Sequence, residues 1–411
     1  MNLKLIFISL GLLLTELLTA QDQTTELSLK QVIEIARMES PDAQTARHSF
    51  RSAYWNYKYY RANYLPSLSL TSDPNLNRAI NKITMGDGSV KFVEQNLLNT
   101  DLTLNLSQNL SWTGGSFFLE TSAQRMDLFS EHKYSWQTSP IMIGYRQSLF
   151  GYNSLKWDRR IEPVRYQEAK KSYVETLELV SANAINKFFA LATAQSNYDI
   201  ASFNYANADT LYRYAQGRYN IGTITENEML QLELNRLTEE TNRMNARIEM
   251  DNCMQELRSY LGIQEEREIR VRVSSRIPDF SINLNEALAL AYENSPDIQT
   301  MKRRKLESES AVARARANAG LKADIYLRFG LTQTADKLPE AYRNLLDQQY
   351  VSLSISLPIL DWGRGKGQVR VARSNRDLVY TQVEQNRTDF ELNVRKLVKQ
   401  FNLQTQRVRI A

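Results

Sequence analysis

The feature that most limits the possible folds is a segment of about sixty residues, from about Lys156 to Gln216, that contains no glycine and one proline, Pro163. We expect Pro163 to lie near the start of a helix, where the first turn tolerates proline. At about 1.5 Å per residue, a helix of this length spans roughly 90 Å, several times the width of a small domain. The sequence therefore predicts an elongated and mainly helical protein.

Two series of residues run along this segment, and the members of each lie seven residues apart. One series is Leu177, Ala184, Leu191, Tyr198, Tyr205 and Tyr212, and the other is Val180, Lys187, Ala194, Ala201, Ala208 and Ala215. Together they form the a and d positions of a coiled coil, in which large residues fill the holes beside small ones. The pattern predicts closely packed neighbouring helices, although a solitary dimeric coiled coil would have the same seam.

The seam ends at a turn sequence, Gly217 to Thr225, which supplies glycines and β-branched residues and places Thr225 where it can cap a new helix. A return helix then carries Leu230, Leu234, Leu237, Met244 and Ile248, followed by Met250, Met254, Leu257 and Leu261. Gly262 is expected to end it. The two antiparallel helices form a long coiled-coil hairpin.

Two stretches of the chain repeat each other. The sequence Glu39 to Thr45 reappears as Asn294 to Thr300, and each copy lies in the order helix, strands, long helix. This shared order favours internal duplication, with a first repeat at 21–262 and a second at 263–411. The second long helix starts near Gly367 and is still helical at Ala411, so we expect the second repeat to be truncated within that helix.

Apolar and polar residues alternate strictly in two other stretches. We expect the apolar positions to face lipid, and they are Leu102, Leu104, Leu106, Leu110, Val351, Leu353, Ile355 and Leu357. Alternation alone suits either a sheet on a soluble core or a transmembrane β-barrel strand. The polar positions are rich in Ser, Asn and Thr, and no other apolar segment is available to cover the apolar face, which favours the barrel.

The N-terminus reads as a secretory signal peptide at 1–20, with Lys4, an apolar run and a small residue, Ala20, before the expected cleavage. A retained membrane anchor is the alternative, but Glu16 interrupts the run. The chain is 42% hydrophobic and its mean hydropathy is −0.47, which argues against a membrane protein with several helical spans.

Catalytic and cofactor chemistry finds little support in the sequence. Cys253 is the only cysteine, and His48 and His132, the only histidines, lack ligand-spaced neighbours, so we expect no metal site, no cofactor and no enzyme activity. The loop from Trp362 to Gln368 is rich in glycine but lacks the spacing of a phosphate-binding loop. The net charge of +5 is spread along the chain, which argues against nucleic acid as a partner.

Several of these features occur together in one known family. The signal peptide, the duplicated plan, Leu65-Pro66 before a strand, Gln147 to Phe150 at the end of another, and Arg218 to Gly222 at the hairpin tip resemble the TolC family of outer-membrane efflux proteins. The resemblance extends from about Leu27 to the C-terminus. It implies a homotrimer in the outer membrane of a Gram-negative bacterium, with a shared barrel and a periplasmic helical tunnel.

The resemblance further implies an exit duct for a tripartite efflux or type I secretion system, supplied by an inner-membrane pump and a periplasmic adaptor. The tip residues that would face the adaptor are Arg218, Tyr219, Asn220, Gly222, Thr223 and Thr225. The family would supply four strands per protomer, but extra strand-like sequence around the Trp112 to Ser116 turn prevents a unique assignment. The alternative is an exported structural or adhesive coiled-coil protein without transport activity.

Overall fold

The structure is a computed structural model that describes residues 25–264, 268–274 and 280–410. The predicted signal peptide lies outside the described residues. The chain divides into two compact units. One comprises Met1–Arg51, Lys170–Ser281 and Asn402–Ala411, and the other comprises Ser52–Ala169 and Ile282–Phe401.

Helices form most of the structure. They are α1 (Leu29–Glu39), α2 (Pro41–Ala62), α3 (Ser154–Asn220), α4 (Glu226–Leu261), α5 (Leu284–Asn294), α6 (Pro296–Ala319) and α7 (Arg364–Ile410). Within the described residues, no helix combines the length and the apolar character that crossing a bilayer requires. The 67 residues of α3 confirm the long helix predicted from the glycine-free segment.

The strands form two sheets. They are β1 (Thr25–Ser28), β2 (Ser67–Thr71), β3 (Asn75–Thr84), β4 (Val90–Asn109), β5 (Ser116–Leu128), β6 (Lys133–Ser148), β7 (Ile269–Arg272), β8 (Lys322–Ala335) and β9 (Leu346–Ser356). β1 and β7 pair in parallel. The others form an antiparallel sheet in the order β2-β4-β5-β6-β8-β9, in which β3 pairs with the part of β4 that precedes the β2 pairing.

The repeated Ser-Pro-Asp sequence has the same structural role in both halves. Ser295 accepts a hydrogen bond from the backbone N–H of Asp297, and Pro296 occupies the first turn of α6. Ser40 precedes Pro41 at the start of α2 and accepts from the N–H of Ala43. Proline suits the first helical turn because the N–H it lacks has no partner there. The motif therefore separates a helix of 11 residues from a longer one in each half.

The hydrophobic core of the first unit is built on the predicted seam. Val180, Ala184, Phe188, Leu191 and Ala194 of α3 are buried against α1, the start of α2 and the second half of α4. The core residues contributed by these partners and by β1 and β7 are Leu27, Val32, Ala36, Ala43, Met250, Leu257, Leu261 and Ile269. The predicted series supplies Val180, Ala184, Leu191 and Ala194 to this core, whereas Phe188 lies outside both series and Lys187, a member of one, pairs with Glu256.

The prediction for Pro163 is wrong in one respect. The helix begins at Ser154, where Asn153 accepts a hydrogen bond from the N–H of Lys156, so Pro163 lies inside α3 and not in its first turn. A proline at this position leaves the carbonyl of Arg159, four residues earlier, without its helical partner. Arg159 is exposed, so water can satisfy that carbonyl and the helix continues.

Candidate functional surfaces: the two-faced sheet and the helical hairpin

The large sheet has one apolar and one polar face. Residues directly opposite each other on antiparallel strands point to the same side. One such row runs across five strands through Leu68, Leu106, Leu119, Ile143 and Phe329. All five side chains are exposed, so the apolar face has no protein layer over it within the described residues.

The predicted lipid-facing residues belong to this face or to its margin. Leu102, Leu104 and Leu106 of β4 and Val351, Leu353 and Ile355 of β9 are all exposed. Leu110 is half-buried and lies one residue beyond the end of β4, in a turn where its N–H bonds to the carbonyl of Gly115. Leu357 is exposed and follows the last residue of β9. Strand alternation could not show where these two strands end.

The polar face carries hydroxyl, amide and charged groups. Ser67 and Ser107 share a hydrogen bond of 2.8 Å between their hydroxyls. Near the middle of the sheet, Arg328 donates to Glu120 at 3.0 Å, and both side chains are less than one third exposed. This pairing between strands more than 200 residues apart in the sequence was not predicted, because no local pattern indicates it.

The polar face is also closely packed at two glycines. The ring of Phe118 lies where a Cβ at Gly144 would be, and Met142 occupies the equivalent space above Gly330. These side chains lie against the backbone of the next strand because glycine has no side chain to hold them away. The two glycines therefore let large residues lie flat on this face.

In the distal part of the α3–α4 hairpin, arginine side chains of α4 stack on tyrosine rings of α3. The guanidinium of Arg243 lies 4.0 Å from the ring centre of Tyr205, and Arg247 lies 5.5 Å from that of Tyr198. Arg236 lies 5.5 Å from the ring centre of Tyr212. These are cation–π contacts. The tyrosine spacing was recognised in the sequence, but its arginine partners on α4 were not.

The apolar stripe at the start of α4 does not fill this interface. Its residues, Leu230, Leu234, Leu237, Met244 and Ile248, are 45 to 67% exposed. The hairpin therefore changes from apolar packing near Leu257 and Leu261 to arginine–tyrosine stacking nearer the tip, and the leucine-rich stripe of α4 remains uncovered within the described residues.

We predict that Arg243→Ala destabilises the distal hairpin by about 1 to 2 kcal/mol, because it removes the closest of the cation–π contacts. Backbone hydrogen exchange in residues 200–245 is the measurement, and faster exchange there than in the core around Leu191 is the expected result. Arg213→Ala is the control, since Arg213 pairs with Asp209 on its own helix. Equal effects of the two variants would contradict the stacking account.

The hairpin tip is a tight turn fixed by hydrogen bonds. Gly222 has a φ of 72° and donates its N–H to the carbonyl of Tyr219 at 2.8 Å. The N–H and the hydroxyl of Thr223 both donate to the carbonyl of Arg218, each at 2.9 Å. These hydrogen bonds close the C-terminal end of α3. The positive φ of Gly222 at this turn is a conformation that glycine adopts readily.

The first turn of α4 is capped as predicted. Thr225 and Glu228 form a reciprocal capping box, in which each side chain accepts from the other residue's N–H. The hydrogen bond from the N–H of Thr225 lowers the pKa of Glu228. All six predicted tip residues, Arg218, Tyr219, Asn220, Gly222, Thr223 and Thr225, are brought together here and are exposed. The tip is therefore a solvent-facing surface held by hydrogen bonds.

In the second unit, ion pairs join the start of α3 to α6. Arg303 binds Glu168 through two hydrogen bonds of 2.5 and 3.0 Å and also binds Glu307 at 2.9 Å. Arg165 binds Glu307 at 2.7 Å. Burial alone would raise the pKa of Glu168, but the hydrogen bonds from Arg303 and Thr300 outweigh it, and the pKa is lowered. The bidentate geometry makes this the best-formed pair of the group.

We predict that Glu168→Gln weakens the packing of α6 by about 1.5 to 3 kcal/mol, the range for a hydrogen bond to a charged group. Because the folded-state pKa of Glu168 lies below the unfolded value of about 4.3, its contribution is fully present above that pH and is lost as the pH falls through the folded pKa. Hydrogen exchange in α6 should therefore accelerate in acid in the wild type and less so in Glu168→Gln. An unchanged acid response would contradict the role of this carboxylate.

The glycine-rich loop is the corner between β9 and α7. The carboxylate of Asp361 accepts from the N–H of Gly363 at 2.9 Å and from that of Gly365 at 2.8 Å. These bonds lower the pKa of Asp361. A phosphate cradle would need such N–H groups to be free for its ligand. The loop is instead a strand-to-helix corner that its own aspartate closes.

Three solved structures with a similar fold are outer-membrane proteins. The chain resembles the CmeC outer membrane channel of Campylobacter jejuni, with 16% identity, a TM-score of 0.61 and coverage of 88% of this chain and 68% of CmeC. The outer-membrane channel OprN is 15% identical, with a TM-score of 0.62 and coverage of 92% of this chain and 75% of OprN. The outer membrane protein VceC of Vibrio cholerae is 15% identical, with a TM-score of 0.58 and coverage of 87% of this chain and 75% of VceC. The fold is thus that of the outer-membrane channels.

Residues 32–263, more than half of the chain, match the model of the outer membrane efflux protein family. The chain belongs to the outer membrane efflux protein family, which confirms the resemblance found in the sequence. Members of this family are transport channels and not enzymes. Among curated protein sequences, none matches the chain significantly.

Proposed function

We propose that this protein is the outer-membrane exit duct of a tripartite efflux or type I secretion system, working as a homotrimer. Each copy contributes its large sheet to one shared barrel and its helices to one periplasmic tunnel of coiled-coil hairpins. Substrates reach the duct from an inner-membrane pump through a periplasmic adaptor. The chemistry that consumes energy belongs to the pump.

The uncovered apolar face of the sheet is the observation that carries this proposal. Leucine, isoleucine and phenylalanine side chains lie exposed along a row of five strands, and the opposite face carries serines and the Glu120–Arg328 pair. A transmembrane barrel strand places apolar residues toward lipid and polar residues toward a water-filled interior. A soluble protein rarely leaves so large an apolar surface in water.

The open edges of the sheet support assembly. β2 and β9 each have one strand neighbour within the described residues. Unpaired backbone groups in hydrocarbon each cost several kcal/mol, so only closed sheets cross a membrane. Closure by further copies of the same chain satisfies both edges at once, because the first strand of one copy can pair with the last strand of another.

The helical part supports the remaining assignments. α1 and α2 correspond to α5 and α6 in order and in the intervening Ser-Pro-Asp sequence, which is consistent with an internally duplicated tunnel. The exposed tip from Arg218 to Thr225 is a compact surface that an adaptor could bind. The family resemblance supports assigning that role to the tip.

The proposal is tested by deleting the gene and by separating cell membranes. We expect the protein in the outer-membrane fraction as an oligomer, and we expect export of at least one substrate class to fail in the deletion strain. A purely soluble periplasmic protein would contradict the proposal. An outer-membrane protein whose loss affects cell adhesion but no export would favour the structural alternative.

A further inference from the structure

The two halves of the chain carry different numbers of strands between their helices. In the second half, a single hairpin, β8–β9, lies between α6 and α7. In the first half, two hairpins lie between α2 and α3. In the first hairpin, β2 and β3 pair with the same edge of β4, and the second hairpin is β5–β6. One half therefore contains an additional pair of strands.

The additional strands are fully built into the sheet. β4 pairs with β5 over 13 residue pairs, and β5 continues the pairing into β6, which pairs with β8. The turn between β4 and β5 is held by its neighbours. Gln147 donates to the carbonyl of Thr113 at 3.0 Å, and Asn153 donates to that of Ser111 at 3.1 Å. The hairpin is thus a structural part of the sheet and not a loose surface loop.

The two faces continue through the additional strands without interruption. Leu106 of β4 and Leu119 of β5 stand between Leu68 of β2 and Ile143 of β6 in one apolar row. On the other side, Ser107 and Phe118 face the polar surface together with Ser67 and Gly144. β4 and β5 therefore have the same lipid-facing and interior-facing pattern as the strands on either side of them.

The two edge strands match each other in chemistry. β2 presents Leu68 and Leu70 on the apolar face and serine or threonine on the polar face, and β9 presents Val351, Leu353 and Ile355 against serines. The edge side chains of both strands are 58 to 66% exposed, compared with 37 to 51% for Leu104, Leu106, Leu119 and Ile143 inside the sheet. Natural edges that must stay unpaired usually carry lysine, proline or a bulge, and β2 and residues 351–356 contain no lysine or proline.

We infer that each copy contributes six strands around the barrel, with β2 and β3 counted as one because both pair with the same edge of β4. Three copies then close an eighteen-stranded barrel in which β2 of one copy pairs with β9 of the next. This rests on the proposed homotrimeric duct and adds the strand number and the pairing partners. Six is an even number, so successive copies meet as antiparallel neighbours. With strands about 4.8 Å apart and tilted by about 40°, eighteen strands enclose a cylinder about 36 Å across between backbones, compared with about 24 Å for twelve.

Disulfide crosslinking tests the pairing partners. In a Cys253→Ser background, Ser69→Cys is combined in turn with Ser352→Cys, Ser354→Cys and Ser356→Cys, which samples the possible registers on the polar face. Directly opposite residues of antiparallel strands lie within disulfide range. We expect at least one combination to give covalent trimers on a non-reducing gel, while the single-cysteine variants stay monomeric. Absence of covalent trimers in all three combinations would overturn the inference.

A second pair tests whether the additional hairpin stays in the barrel. Ser67→Cys and Ser148→Cys lie at the helix-side ends of β2 and β6. Two strands separate them, and Ser148 lies four residues beyond the position level with Ser67, so they are about 20 Å apart. We expect no disulfide within one chain. If β4 and β5 left the barrel, β2 would adjoin β6 and this disulfide would form.

Electron cryo-microscopy of the purified protein counts the strands directly. Eighteen strands around a threefold axis is the expected result. A membrane-inserted trimer with twelve strands would overturn the inference and leave the proposed function intact. A protein that neither inserts nor forms trimers would overturn both.

Discussion

Replacing Leu106 with arginine is expected to prevent stable insertion of the protein into the outer membrane. Leu106 lies in the apolar row of the sheet, between Leu68 and Leu119 and three residues before the end of β4, and its side chain is exposed on that face. Arginine on a lipid-facing barrel surface costs about 2 to 4 kcal/mol at the bilayer midplane and less toward the interfaces. In the proposed homotrimer the substitution is present three times, so the costs add to a large part of the stability of an ordinary domain.

The neighbouring residue provides the matched control for this prediction. Ser107 is the next position on β4 and points to the polar face, where it bonds to Ser67. We expect Ser107→Arg to insert nearly as the wild type does, because the interior of a water-filled barrel accepts charge. Outer-membrane fractionation with a heat-modifiability gel measures folded insertion. Equal loss in both variants, or normal insertion of Leu106→Arg, would contradict the assignment of the two faces.

Replacing Gly222 with proline is expected to abolish export while the protein still inserts. Gly222 has a φ of 72° and donates its N–H to Tyr219. Proline fixes φ near −65° and has no N–H, so the turn between α3 and α4 cannot keep its shape. The strain is about 1 to 3 kcal/mol, with a further loss of about 1 kcal/mol for the hydrogen bond. Insertion should survive because the large sheet belongs to the other compact unit.

Asparagine at the same position is the control. Among residues with a side chain, asparagine is one of those that best tolerate this left-handed conformation, and it keeps the N–H. No atom lies within 4 Å of the position that a Cβ at Gly222 would occupy, so the larger side chain has room. We therefore expect Gly222→Asn to export at close to the wild-type rate. Normal export by Gly222→Pro, measured with the substrate identified from the deletion strain, would show that the tip shape is not needed.

The parts of the fold that depend on local sequence were predicted well. The seam on α3, the cap at Thr225 and the end of α4 at Gly262 are all present. Each depends on residues within one or two helical turns, or on one residue's own backbone preference. The same locality explains why the alternation of β4 and β9 identified their exposed apolar residues.

The features that were missed involve partners distant in the sequence. Arg236, Arg243 and Arg247 look like solvated charges on α4 until α3 brings tyrosines beside them. The strand order and the number of strands depend on pairing between residues up to about 200 positions apart, such as Glu120 with Arg328. Sequence periodicity gives the direction in which a side chain points but not the strand that lies next to it.

Planar lipid bilayer recording of the purified protein tests the central claim most directly. A duct with an apolar outer face and a polar interior is expected to insert and to produce discrete conductance steps, each from one trimer. Leu106→Arg should give few insertions, and Ser107→Arg should give steps of altered size at a normal insertion frequency. A protein that associates with the bilayer without any conductance would contradict the claim that this chain forms a channel.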